Sequence, residues 1–419
     1  MSGILPYYND FSEYIHSGFN PNYQFQLNEY TFPMWGYGFI LALTKSKTLI
    51  IFFQCFASFL LILLSERVIW RQIRNPKSIL IFRLICVLGF SWFLFHGILW
   101  PYSFSASLLT LSLLLLFDGL ESTFKVFFSG LAFGLALNFR SDYFLFAFLI
   151  FFIFFVSSIL EKKYVSLLKI FIWAITIFIF LLPWGFYSKA KTGNFLLTSS
   201  NSGHHLFISL GQLPGNLWGI TPFDHDPKMK SIVSTYFGKE VSTLSAKADP
   251  LLKSAWRDSV IAHPVEFVKK CGFNFLLVLT KPFYTGEIEK TVSSYFFKKS
   301  LLGEFRPDSF NLKELLSTIH NNPLSLLLLL PKFIVIGVSI LVFYSGLFSL
   351  GLFLKEIFKG SWKFEPSTLP LHITALVILY QLAILIGVYA MSAYHTNVYL
   401  FYAILITIVG DRFFSSQLR

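Results

Sequence analysis

Long apolar runs interrupted by short polar clusters make up most of the chain, and their lengths predict membrane-crossing helices rather than the short alternating strands of a barrel. Residues 32–43 are apolar but too few to cross a bilayer, so an interfacial or re-entrant helix is expected there, entered through Pro33 and closed near Lys45 and Lys47. Full spans are predicted at 48–64, 78–100, 104–117, 127–139, 143–160, 170–182, 324–354, 371–390 and 398–410. The sixth is expected to stop at the helix breaker Pro183 beside Trp184, and the seventh is long enough to tilt or kink at Pro331. Between 189 and 322 the chain is polar and rich in turn residues. Its one apolar run, 265–283, carries Lys269, Lys270 and Asn274 and reads as a helix lying in the membrane interface.

Orientation follows from charge. Glu66, Arg67, Arg71, Arg74 and Lys77 form the clearest basic cluster beside a span, which the positive-inside rule puts in the cytoplasm. If 265–283 does not cross, Lys355 to Lys363 and the tail from Asp411 also fall inside, in keeping with their basic character. About nine crossings result, with the N-terminus outside and the C-terminus inside. The fold expected is an all-α polytopic membrane protein in four parts. They are an outer acidic loop with interfacial helices over 1–47, an N-terminal bundle over 48–188, an outer region over 189–323, and a C-terminal bundle with a cytoplasmic tail over 324–419.

Composition strengthens this picture. Hydrophobic residues make up 55% of the chain and charged residues only 13%, too apolar a balance for a water-soluble core. The net charge of +12 follows from basic loops retained on the cytoplasmic side, so no nucleic-acid partner is expected. Cys55, Cys86 and Cys271 are scattered and supply neither a disulfide framework nor a metal cluster. Residues 1–14 carry no basic or apolar segment of a signal peptide.

The candidate chemistry gathers on the outer side. Asp10 and Glu13 lie three residues apart, on one face if helical, with Tyr14 beside them and no Lys or Arg before Lys45. Arg140 stands at a span end next to Asp142, where it is either an interfacial anchor or a holder of phosphate or carboxylate. Lys189 and Lys191 precede a Ser- and Gly-rich stretch, 197–203, of the kind that forms anion-binding backbone nests, though most such stretches are plain turns. His204, His205, His263 and His395 complete the outer-face candidates. Asp224, His225 and Asp226 hold metal-ligand chemistry, but adjacent residues rarely converge on one centre, and a surface loop is the favoured reading.

In order and in side, these features resemble the GT-C glycosyltransferases, in particular the group similar to dolichyl-phosphate-mannose protein mannosyltransferases and aminoarabinose transferases. Asn9-Asp10-Phe11-Ser12-Glu13-Tyr14 resembles the family's acidic Asp-Glu-x-x-Tyr motif, with Phe11 in place of the second acid. Phe32-Pro33 with Gly36-Tyr37-Gly38, and the segment from Gly134 to Asp142, are similar to family motifs. So are Pro183-Trp184, Gly193-Asn194-Phe195, Ser199 to Gly203 with Leu206, and Ala262-His263-Pro264 with Phe267. The family's first transmembrane helix would precede Asp10; an unrecorded upstream start with an apolar stretch of about twenty residues would restore it, and a truncated copy is the alternative.

The resemblance implies an inverting transfer of a sugar from a polyprenyl phosphate to a lipid, glycan or protein acceptor at the outer face of a bacterial inner or plasma membrane. Asp10 would be the general base with Glu13 as secondary acid, and Arg140, with Lys189 and Lys191, would hold the donor phosphate. The resemblance assigns no particular cofactor, and a divalent metal is left open. The rival readings are a transporter or flippase of a lipid-linked or envelope component, and a non-catalytic truncated paralogue.

Overall fold

The computed structural model describes residues 35–44, 46–97, 99, 101–119, 122–160, 164–237, 241–283, 324–360 and 368–417. Every regular element among them is helical. Five helical stretches are long and apolar enough to cross a membrane: Thr48–Trp70, Ser141–Ile159, Val165–Ala190, Ile334–Phe358 and Leu369–Gly387. The chain is therefore an all-α, membrane-embedded protein.

The N-terminal bundle comprises α1 (Trp35–Thr44), α2 (Lys47–Trp70), α3 (Ile79–Leu88), α4 (Phe90–His96), α5 (Pro101–Gly119), α6 (Thr123–Phe139), α7 (Phe144–Leu160) and α8 (Tyr164–Thr192). Lipid is as apolar as leucine, so burial alone does not hold membrane helices together; close backbone approach and buried hydrogen bonds do. Helix α6 supplies both. Gly130 and Gly134, one turn apart, face α8 so closely that a Cβ would lie 2.8 Å from the Trp173 carbonyl oxygen and 2.9 Å from Phe180 Cβ. Ser129 Oγ donates to the Ser112 carbonyl of α5 and accepts from Trp173 Nε1 of α8, while Asn138 Nδ2 donates to the carbonyls of Gly134 and Phe180. Helix α1 meets the end of α6 at Gly36, where only a hydrogen fits against the Asn138 carbonyl.

Two expected boundaries are corrected. The span at 78–100 is not continuous: it breaks at Gly89, where Tyr399 Oη fills the space a Cβ would need and donates to the Ile85 carbonyl. Pro183 does not end its span, because α8 continues to Thr192. Packing holds it there: Trp184 Nε1 donates to the Thr198 carbonyl, Gly185 lies against the Phe195 ring, and Ser188 Oγ bridges Leu196 N and O. The stop is Gly193, whose φ of +79° is the left-handed conformation of a helix C-terminus.

The C-terminal bundle comprises α13 (Leu324–Phe358), which runs unbroken through Pro331, α14 (Leu369–Gly387), the short α15 (Ser392–Thr396) and α16 (Tyr399–Gln417). Buried Asp411 on α16 accepts from Arg74 N, Asn75 N and Ser78 Oγ, tying the basic α2–α3 turn to the far end of the chain.

Between the bundles, α9 (Ser202–Ser209), α10 (Pro227–Phe237) and α11 (Ala248–Ala262) share a small core of Phe207, Leu210, Trp218, Met229, Val233 and Leu252. Helix α12 (Pro264–Thr280) has an inverted polarity. Glu266, Lys270 and Asn274, spaced four residues apart, are buried against the protein, whereas Val265, Val268 and Leu276 are exposed. Lys270 Nζ donates to the carbonyls of Gly387 and Val388, and Asn274 Nδ2 to those of Leu385 and Ile386, so α12 caps the C-terminus of α14.

Candidate functional site

Helices α6 and α7 meet at an extended residue followed by a single 3-10 turn, Ser141–Tyr143, and the residue between them is Arg140. A charge at the end of a membrane helix must pair or reach water, and here it pairs. Arg140 Nε and Nη2 donate to Asp142 Oδ2 at 2.8 and 2.6 Å. The guanidinium lies 3.5 Å from the centroid of the Tyr102 ring, at the start of α5, and 5.1 Å from that of Tyr394 on α15. The two tyrosine rings stack at 5.0 Å with 24° between their planes. Arg140 is thus paired with Asp142 and stands at the centre of an aromatic clamp assembled from three separate segments. Tyr380 Oη of α14 donates to the Asp142 carbonyl at 2.6 Å and fixes the turn from the other side.

Ser141 Oγ lies 3.0 Å from Ser199 Oγ, which donates to Asn201 Oδ1, joining the Arg140 turn to the segment that enters α9. That segment is the Ser- and Gly-rich stretch, and its capping is internal. Asp249 of α11 accepts from Gly203 N at 2.6 Å and from Ser202 Oγ, while Lys253 pairs with its other oxygen. An anion does sit on this helix N-terminus, but it is the protein's own. Gly203 is required because a Cβ would meet the Asp249 carbonyl oxygen at 2.2 Å.

His204 is buried, with Nδ1 3.1 Å from Thr243 Oγ1 and Nε2 3.0 Å from Asp224 Oδ1. Its hydrogen bond, together with the neighbouring imidazoles, holds the Asp224 carboxyl below the usual range against the opposing effect of burial. His205 is half-buried beside it, the ring centroids 5.6 Å apart. Burial first, then His204 and Arg140, push its imidazole down to about 4, so it is neutral near pH 7. The structure therefore brings Arg140, His204 and His205 into one region, linked through Ser141, Ser199 and Asn201.

Other candidates lie apart. Lys189 is exposed on the last turns of α8, and Lys191 follows on the same helix with its side chain outside the described residues. His263 is exposed at the corner between α11 and α12. His395 is buried, with Nδ1 2.7 Å from the Pro282 carbonyl oxygen and Nε2 3.0 Å from Tyr402 Oη, a packing role one residue from the Tyr394 clamp. Asp10, Glu13 and Tyr14 lie outside the described residues. Asp224, His225 and Asp226 do not converge, since Asp226 turns inward to accept from Thr221 N and Met229 N at the start of α10. Among the described residues no group of three or more His, Cys, Asp or Glu could hold a metal ion.

A cavity of about 420 Å³ runs between α7 and α8, lined entirely by apolar side chains including Phe144, Phe148, Phe151, Trp173, Phe178 and Leu197. Phe144 is two residues from Asp142, and Leu197 is two residues from Ser199, so two of the lining residues adjoin the segments that carry the Arg140 turn and Ser199.

The clamp was not legible in the sequence. Tyr102 follows Pro101 at a helix start, and Tyr394 sits in a Ser-Ala-Tyr-His turn. Aromatic enrichment at membrane interfaces is the only signal either carries.

No protein-family model, curated protein or solved structure matches the chain.

Proposed function

We propose that the chain is an integral-membrane glycosyltransferase that moves a sugar from a polyprenyl-phosphate donor to a lipid, glycan or protein acceptor at the outer membrane face. The observation that carries this reading is the junction of two features. A guanidinium held at a membrane-helix end belongs to the turn that leads directly into α7, whose first residue, Phe144, lines a wholly apolar groove. A lipid phosphate has this same division, an anionic head on a long apolar tail. The five spanning helices would be joined by α3–α4, α5, α6 and α16 to give nine crossings, with the Arg140 end outside and Asp411 inside.

In the reaction, the acceptor hydroxyl or amine is a weak nucleophile, so a carboxylate must take its proton as the new bond to the anomeric carbon forms. Asp10 has that role, with Glu13 secondary. The bond from the anomeric carbon to the phosphate oxygen breaks, and the charge developing on the leaving phosphate is stabilised by Arg140. Lys189 and Lys191 lie on the next helix end as secondary cations.

Membranes containing the protein, given radiolabelled polyprenyl-phosphate sugars, should transfer label covalently to acceptor. Asp10→Asn should reduce that transfer by about 10²-fold or more. Full activity in Asp10→Asn would contradict the base assignment.

One observation favours a transporter or flippase as the second reading. The helix break at Gly89 precedes His96, which is fully buried with no hydrogen-bond partner for either ring nitrogen among the described residues. Broken helices and buried ionisable groups mark transport paths. Movement of labelled lipid across the bilayer without covalent transfer would support it.

A further inference from the structure

An arginine that receives a phosphate needs an arrangement for the time when no phosphate is there. Arg140 is mostly buried, its side chain 16% exposed, and a lone buried cation is costly. Asp142 meets that need from the adjoining turn. The Asp142 side chain is twice as exposed, 33%, so it is the more open member of the pair. Both described hydrogen bonds go to the single oxygen Oδ2, from Nε and Nη2. A guanidinium carries five N–H donors in a fixed fork, so the Nη1 end is left uncommitted by these two bonds. The guanidinium has a second hold besides Asp142, because the Tyr102 ring lies under it and stacks on Tyr394. The Asp142 backbone has one besides Arg140, because Tyr380 Oη holds its carbonyl. The carboxylate can therefore rotate away while cation and backbone both stay in place.

We propose that the Asp142 carboxylate is the resting counter-ion of an exchange site. The phosphate head of a lipid displaces it from Arg140, while Tyr102 and Tyr394 hold the guanidinium in position through the exchange. Asp142 is thus a specificity-determining residue: a neutral head cannot compete with a carboxylate, and an anion without a tail gains nothing from the groove. The inference rests on the reading of Arg140 as the phosphate-binding cation.

The test is a titration of the full-length protein in nanodiscs with farnesyl phosphate, read by tryptophan fluorescence, since Trp173 lines the groove. Inorganic phosphate and farnesol are the head-only and tail-only arms. Removing an internal competitor strengthens binding of the external one, so Asp142→Asn should tighten farnesyl phosphate by about five-fold. Tyr102→Leu should weaken it about as much, and Tyr102→Phe, which keeps the ring, should weaken it less. Both single-component arms should bind more weakly than farnesyl phosphate. Asp258→Asn removes an equal charge from an exposed pair with Arg257 and should change nothing. Unchanged or weaker binding in Asp142→Asn overturns the exchange, as does equal tightening in Asp258→Asn. Undiminished binding in Tyr102→Leu overturns the clamp. Arg140→Gln separates the two levels: if it binds farnesyl phosphate as well as wild type does, the phosphate reading of Arg140 itself fails.

Discussion

Lys270 shows how a single residue can mislead a sequence reading. A lysine inside an apolar run argues for an interfacial helix rather than a span and so for a side chain that reaches water, yet here it is fully buried and its ammonium caps the carbonyls of Gly387 and Val388. Its partners lie more than a hundred positions away, which no local spacing reveals. Lys270→Met keeps the stem but leaves those carbonyls unsatisfied, and should cost about 1–3 kcal/mol, measured as a lower unfolding midpoint in detergent. Burial pushes the ammonium from its ordinary 10.5 down to about 8. Between those values the unfolded chain binds the proton that the folded chain has released. The contribution of this group therefore raises stability as pH climbs from 8 to 10.5 and is flat outside that window. Lys270→Met should lose the rise.

Among the elements, α6 makes the most specific claims. Its hydrophobic pattern alone predicts a short span, but its glycines decide the packing: Gly130 and Gly134 let α8 approach to backbone contact. Gly134→Leu should force the two helices apart at a cost of about 1–3 kcal/mol or more, read as loss of monodisperse protein in size-exclusion chromatography. Gly337→Ala on α13, where a Cβ would meet nothing within 4 Å, should be neutral or stabilising by up to about 1 kcal/mol. The helices themselves were largely legible, because apolar runs of this length have few alternatives. Their ends were less so. Pro183 reads as a stop but is carried by contacts from Thr198, Phe195 and Leu196, and the break at Gly89 is imposed by Tyr399 from the far end of the chain. Arg140 was legible as a candidate because a charge beside a span stands out. The tyrosines around it were not, since stacking across three segments leaves no periodic trace.

For the whole molecule, the two ends of the bundle are built differently. One gathers basic residues after α2 around buried Asp411. The other gathers Arg140, its aromatic clamp, the His204–Asp224 pair and the start of the groove-lining helix α7. That asymmetry is what the proposed sugar transfer requires: a charged headgroup handled at one surface, with its tail lodged between helices. The most direct measurement is the rate of covalent transfer of radiolabelled sugar from a polyprenyl phosphate in membranes, comparing wild type with Arg140→Gln at matched protein levels. A loss of about 10²- to 10³-fold in kcat/KM, as expected when a charge-stabilising group is removed from a transition state, is the predicted result. Transfer by Arg140→Gln at the wild-type rate would contradict the account.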